Sequence, residues 1–291
     1  MDAHPQRPPG LKAIVLGTRG SALALVQTRD VAARLLAACP GLRVDERIIK
    51  TTGDRRLEVR LSAPGPLEKG LFTKELEEAL FAGSIDAAVH SLKDLPTSQP
   101  EGLVIGAILE RADLSDALAS KHGGGWRGLP QGATVATSSL RRRNQLLLLR
   151  PDLHIEEIRG NVPTRLRKVL ESPELDALVV AHAAIQRLGE GTVPGGLHLS
   201  IIEEMLPAPG QGAVAVECRA DDATTREHLL SIHHEPTARC VRAERDLLQS
   251  LGGGCHMPLG ARATLVDGQV HLAAGLFEPE GVRWLTNPPG E

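Results

Sequence analysis

The sequence has no tyrosine, and three phenylalanines and two tryptophans supply its only large aromatic rings, 2% of 291 residues. So few rings cannot build a surface that stacks bases, which argues against nucleic-acid binding. Cysteine is scarce too. Cys39, Cys218, Cys240 and Cys255 show no CxxC or other close spacing, so neither a disulfide scaffold nor a zinc site is expected. No stretch approaches the roughly 18 uninterrupted apolar residues of a membrane span. The opening MDAHPQRPPGLKAIVLGTRG lacks the apolar core and small-residue cleavage site of a secretory leader. A cytoplasmic chain with no membrane partner follows. With 33 basic against 36 acidic side chains, the net charge of −3 gives no bulk attraction to polyanions.

What is abundant is arginine, 26 against seven lysines, and it is unevenly spread. Seven lie between Arg141 and Arg167, opposed only by Asp152, Glu156 and Glu157, where even scatter would put about two or three. High-GC codon usage would explain the overall excess but not the cluster. Arginine suits planar, bidentate contact with carboxylate or phosphate.

The length fits two or three domains. Leu11 to Gly17 reads as a short buried strand, followed by TRG and a helix with Ser21 at its N-cap. Val44 to Lys50 is a second strand, and Thr51 to Gly70 a polar loop long enough for a functional segment. Phe72, Leu76, Ala79 and Leu80 mark a helical face with Thr73 as N-cap, and Ile85 to Val89 returns to strand before HSLKDLPT. The grammar repeats after Gly123: strands at Ala133 to Ala136, His154 to Ile158 and Asp176 to Ala181, each followed by a helix. This predicts two parallel, doubly wound α/β domains, residues 1–110 and 115–206. Ligands in such sheets bind beyond the carboxyl ends of the strands, where TRGS, HSLKDLP, TSSLRR and RGN all fall. From Arg239 the pattern changes to a helix, the loop GGGCHMPLG, and strands around the turn Asp267-Gly268. Residues 235–291 therefore read as a small α+β domain. One helix leaves a face of its sheet uncovered, so a further C-terminal helix is expected to be missing from this chain.

TSSLRRR brings backbone N–H groups, hydroxyls and guanidiniums to a helix N-terminus, an anion-binding arrangement. A capped helix with a solvated basic turn is the plainer alternative, but basic residues there oppose the helix dipole. RGNVPTRLRK repeats the theme. HSLKDLP groups His90, Lys93 and Asp94, either as a surface turn or as an acid/base and cation-stabilising site. Glycines around Cys255 suit an exposed thiol on a pliable loop better than a core cysteine. His233-His234 reads as a helix start rather than a metal site.

Taken in order, LGTRGSALALVQT, IIKTTGD, KGLFTKELEEAL, DAAVHSLKDLPT, ATSSLRRRNQL, IRGNVPTRL, LPAPGQGAVAVECR and GGGCHMPLG resemble the porphobilinogen deaminase (hydroxymethylbilane synthase) family from about Ile14 to Ala273. The resemblance implies a monomeric transferase of haem and other tetrapyrrole biosynthesis. Such an enzyme deaminates four porphobilinogen molecules and joins them head to tail into hydroxymethylbilane, on a dipyrromethane cofactor held by a thioether. It implies two periplasmic-binding-protein-like domains with the cleft between them, a third domain carrying the cofactor cysteine, and a segment 212–230 that returns to the first domain. By the same resemblance Cys255 is the attachment point and Asp94 the catalytic carboxylate, stabilising the electron-poor species left by loss of ammonia. Arg19, Ser21, Lys93, Thr137, Ser139, Arg141, Arg142, Arg159 and Arg165 match positions that bind cofactor and substrate; no metal is implied. Arg143 and His256 receive no role. The alternative is a non-catalytic two-domain module for carboxylates or other anions, which has no use for an exposed cysteine or for an aspartate facing its ligand. A nucleic-acid binder is a weaker third reading.

Overall fold

The structure is a computed structural model that describes residues 13–52, 73–253 and 257–286. Its first four strands, β1 (Ala13–Thr18), β2 (Arg43–Ile48), β3 (Ala87–Ser91) and β4 (Leu103–Ile108), are short and apolar where they are central. The next five, β5 (Asp116–Ser120), β6 (Thr134–Ala136), β7 (His154–Glu156), β8 (Ala177–Ala181) and β9 (His198–Ile202), form a second sheet in the order β7-β6-β8-β5-β9. Strand β10 (Val214–Arg219) then returns to the first sheet, whose order is β2-β1-β3-β10-β4. The last three, β11 (Leu259–Val266), β12 (Gln269–Glu278) and β13 (Gly281–Trp284), make an antiparallel sheet.

The α/β class is as expected, but the strands are not all parallel. Strand β10 runs antiparallel to β3 and β4, with Ala215 opposite His90, and β5 runs antiparallel to β8 and β9. Both enter their sheets from the other sheet rather than through a helix within their own, so no right-handed crossover forces them parallel. The two linking segments lie side by side, Leu109 N–H donating to Val214 O at 3.0 Å and Ala112 N–H to Gly212 O at 3.1 Å. Gly212 has φ +84°, and a Cβ there would stand 2.7 Å from Ala112 O, so only glycine allows this approach.

Helices cover both main sheets. Helix α1 (Ala22–Ala38) is capped by Ser21, whose Oγ accepts from Ala24 N. Helix α2 (Lys74–Phe81) departs from expectation: Thr73 sits at its N-cap with helical dihedrals, and its side chain makes no capping bond. Glu75 and Glu77 in the first turn complement the dipole instead. Phe72 and most of the loop read at 51–70 lie outside the described residues. Helices α3 (Leu140–Leu149), α4 (Val162–Glu171) and α5 (His182–Leu188) serve the second sheet, and α6 (Ala223–Leu230) packs on the first. Leu16, Leu35, Val89 and Val216 are central to one core, and Leu118, Val135 and Val179 line one face of the other sheet.

Helix α7 (Glu235–Ser250), capped by His234, carries the third sheet through Leu247 and Leu248 against Leu259 and Leu276. Its Glu244 is wholly buried and accepts from Arg111 Nη1 and Nη2 at 2.8 and 3.0 Å and from Gly210 and Ala263 N–H groups at 2.8 Å. A buried carboxylate with four donors is satisfied. It ties α7, both linking segments and β11 together.

Candidate active site

Strand β1 ends at Thr18, which places Arg19 and then Ser21 at the carboxyl edge of the first sheet. Beside it β3 runs into a tight 3-10 turn, Leu92 to Asp94, anchored by buried Leu92. Arg19, Ser21, Gln27, His90, Ser91 and Asp94 line one pocket there. Asp94 is exposed and Lys93 half-buried. Below the turn, His90 Nε2 stands 3.3 Å from Glu217 Oε2, a pair almost removed from water.

The second sheet contributes from α3 and α4. Thr137 Oγ1 accepts from Ser139 N–H at 3.2 Å, and Ser139 Oγ from Arg142 N–H at 3.4 Å, so both hydroxyls shape the turn at the start of α3. Arg141 and Arg142 point inward and are only 4% and 7% exposed. Both hold Asp116: Arg141 Nη1 at 2.7 Å from Oδ2, and Arg142 Nε and Nη2 at 3.0 and 2.7 Å from Oδ1. Arg141 Nη1 also donates to Leu206 O, and Arg142 Nη1 to Val179 O. Burial alone would raise the Asp116 carboxyl, but the two guanidiniums hold it well below the usual carboxylate range. One carboxylate between two arginines leaves a buried net positive charge.

Arg165, on α4, is different. Its Nε is buried without a hydrogen-bond partner among the described residues. Burial pulls its guanidinium down to about 10, Arg142 adds to the effect, and Asp94 opposes it. Lys93 is likewise lowered to about 8, first by burial and then by Arg142, against the pull of Asp94 and Asp116. These shared influences bring Lys93, Asp94, Arg141, Arg142 and Arg165 into one electrostatic neighbourhood spanning the two sheets. Arg159 is exposed, and its carbonyl accepts from Lys168 Nζ at 3.0 Å. Cys255 lies outside the described residues.

Two residues of this neighbourhood escape sequence reasoning. Asp116 opens an otherwise apolar strand and has no motif around it. Gln211 lies within LPAPGQG, which carries the resemblance without itself suggesting a role; it is 1% exposed and bonded to both Lys93 and Asp116. Chemically the ensemble is a cationic cleft with one exposed carboxylate, suited to an anionic ligand in which positive charge develops.

A family model described as "Porphobilinogen deaminase, dipyromethane cofactor binding domain" matches residues 14–227, and one for the C-terminal domain of the same family matches 238–286. The chain is 46% identical to a porphobilinogen deaminase of Syntrophobacter fumaroxidans over 93% of its own length and 86% of that protein's. It is 49% identical to one of Desulforudis audaxviator, over 92% and 85%. A solved periplasmic VFT2 domain of Bordetella pertussis BvgS is similar at TM-score 0.44 and 14% identity, covering 82% of this chain and 92% of that one. No helix among the described residues is long and apolar enough to cross a membrane.

Proposed function

The chain belongs to the porphobilinogen deaminase family, and we propose that its cleft performs that chemistry on Asp94, with Lys93, Arg141, Arg142 and Arg165 arranging carboxylates around it. The activity is that of a transferase of tetrapyrrole biosynthesis, hydroxymethylbilane synthase, which deaminates porphobilinogen and joins four molecules head to tail. The residues present fit a cofactor rich in carboxylates: Arg165 has a buried donor without a partner among the described residues, and the Asp116 cluster keeps an excess of positive charge. When bound, the dipyrromethane supplies the free pyrrole carbon from which the chain is extended. Cys255 remains the proposed attachment point, as a thioether, on the strength of GGGCHMPLG.

Loss of ammonia leaves the porphobilinogen ring electron-poor, and the attacking carbon must then lose a proton. A fixed carboxylate near the ring N–H groups stabilises the first and accepts the second. Asp94 is held for this at the end of the 3-10 turn. Arg19 shares its pocket and suits an acetate or propionate. Thr137 and Ser139 support the ligand by setting the start of the helix that carries Arg141 and Arg142, Ser21 lines the pocket beside Arg19, and Arg159 meets the ligand from the rim. The same reading takes the enzyme as a cytoplasmic monomer without nucleic-acid or membrane partners. It divides the chain at 1–110 with 212–230, 115–206 and 235–291, a division the three sheets support.

The observation that carries the reading is the exposed Asp94 among cations whose charge it helps to hold, Lys93 and Arg165. Single-turnover ammonia release from porphobilinogen tests it, with cofactor loading checked by intact mass. Loaded Asp94→Asn is expected to release ammonia about a hundred- to a thousandfold more slowly. Release at the wild-type rate would remove Asp94 from the mechanism.

A further inference from the structure

Gln211 lies on the second linking segment, where the chain passes back from one sheet to the other. Its backbone is pinned on both sides: its N–H donates to Ala208 O at 2.9 Å, and its carbonyl accepts from Arg111 Nε at 2.7 Å. The neighbouring Gly210 packs so closely on the turn after β3 that a Cβ would stand 3.0 Å from Leu92 Cγ and 3.4 Å from Lys93 N. The side chain of Gln211 is thus delivered to one place.

Its orientation is dictated as well. Nε2 faces three acceptors of the second sheet's leading edge: Leu114 O at 2.8 Å, Asp116 Oδ1 at 3.0 Å and Ser115 O at 3.4 Å. A flipped amide would press its oxygen against two carbonyls and a carboxylate, so Oε1 must point the other way. There it accepts from Lys93 Nζ at 3.4 Å. We propose that Gln211 is a positioning residue that joins the Lys93 ammonium, next to Asp94, to the buried Asp116–Arg141–Arg142 cluster, so that both sides of the cleft share one charge network.

Among the described residues, the charged groups acting on Lys93 include Asp94 on its own turn, Asp116 on β5, and Arg141 and Arg142 on α3. The two arginines disfavour its charge and the two aspartates favour it. A neutral amide oxygen orients the ammonium without neutralising it. Burial and the arginines hold the Lys93 ammonium down at about 8; an acceptor bonded to the charged form favours it, so loss of the Gln211 oxygen is expected to lower it further.

This inference rests on the functional reading above, but its primary test needs no substrate. Lysine Cε is labelled with 13C in the cofactor-loaded protein, and the Lys93 resonance, assigned by its loss in Lys93→Arg, is followed against pH by NMR. Seven lysines make the assignment tractable. Gln211→Met keeps the side-chain length and removes the bond, and should lower the Lys93 midpoint by about half a unit to one unit. Gln211→Glu puts a carboxylate beside the ammonium and should raise it. The alkaline limb of kcat/KM should move in the same direction in each variant. An unchanged midpoint in Gln211→Met overturns the proposal. If that variant does not fold, an unchanged or lowered midpoint in Gln211→Glu does so. A normal Lys93 shift together with an unaltered pH–rate profile would fault Lys93 in the functional reading rather than Gln211 as its anchor.

Discussion

Helices α3 and α4 begin alike and end in opposite electrostatic states. Each opens with a capping side chain, Ser139 or Asn161, and each places arginine in its first turn or just after it. At α3 both guanidiniums pair with Asp116, although Arg141 Nε, like Arg165 Nε, is buried without a hydrogen-bond partner among the described residues. At α4 Arg165 makes no ion pair among the described residues, and its Nε is left unsatisfied. Burying arginine requires an acid nearby, because an uncompensated charge costs several kcal/mol. The first site is therefore a frame in which two guanidiniums share one acid of the protein and keep positive charge in excess. The second is a socket with no ion pair of its own among the described residues, and on the proposed function a ligand carboxylate would complete it.

The largest expected effect breaks the paired side. Asp116→Asn leaves two buried guanidiniums facing a neutral amide and should destabilise the protein by about 3 to 5 kcal/mol, measured by urea unfolding. The sign with pH is also set. Because the folded-state pKa of Asp116 is depressed, its stabilisation is present in full above the ordinary carboxylate value, about 4, and fades as pH falls toward the folded value. The variant should lack that share of acid sensitivity. A loss below about 1 kcal/mol would mean that the cluster is not a frame.

An intermediate effect separates the two sides. Arg165→Met should leave unfolding free energy within about 0.5 kcal/mol of wild type, or raise it, since that guanidinium forms no ion pair among the described residues and Asp94 offsets its burial only in part. Affinity for porphobilinogen or the growing chain should fall about ten- to a hundredfold, the worth of a charge-assisted bond. Concentration-dependent single-turnover rates would show it. A stability loss as large as that of Asp116→Asn would erase the distinction between frame and socket.

The smallest effect compares the caps. Asn161 Oδ1 accepts from Thr164 N–H at 3.0 Å, while Ser139 Oγ reaches Arg142 N–H at 3.4 Å. Asn161→Ala should cost about 1 kcal/mol and Ser139→Ala only a few tenths. The reverse order in thermal melts would show that the start of α3 is held by its cap rather than by Asp116.

Much of the local structure is legible without coordinates. The caps at Ser21 and Ser139 follow from residue type at the start of a helical segment, whereas the helix capped by His234 starts at Glu235, ahead of the expected Arg239. The hairpin turn at Asp267-Gly268 follows from its dipeptide, and both residues adopt positive φ, 49° and 74°. Thr73 misleads because its hydroxyl could cap only from an extended backbone, which the chain does not adopt there. Strands β4, β5, β9 and β10 pass unmarked, since short runs of this kind do not declare their type by periodicity.

The ordered sequence motifs alone were enough to indicate the family, the α/β class and the basic, carboxylate-seeking character of the cleft. These depend on residues within a few positions of one another. Which arginine stays open was decided only in three dimensions. Asp116 meets Arg141 and Arg142 across 25 and 26 positions, and Gln211 meets Asp116 and Lys93 across 95 and 118. Those distances close because β5 and β10 enter their sheets from the opposite sheet, through two segments that touch at Gly212. A charge buried by tertiary packing is governed by whatever the fold sets beside it, and at low dielectric that neighbour outweighs the local sequence.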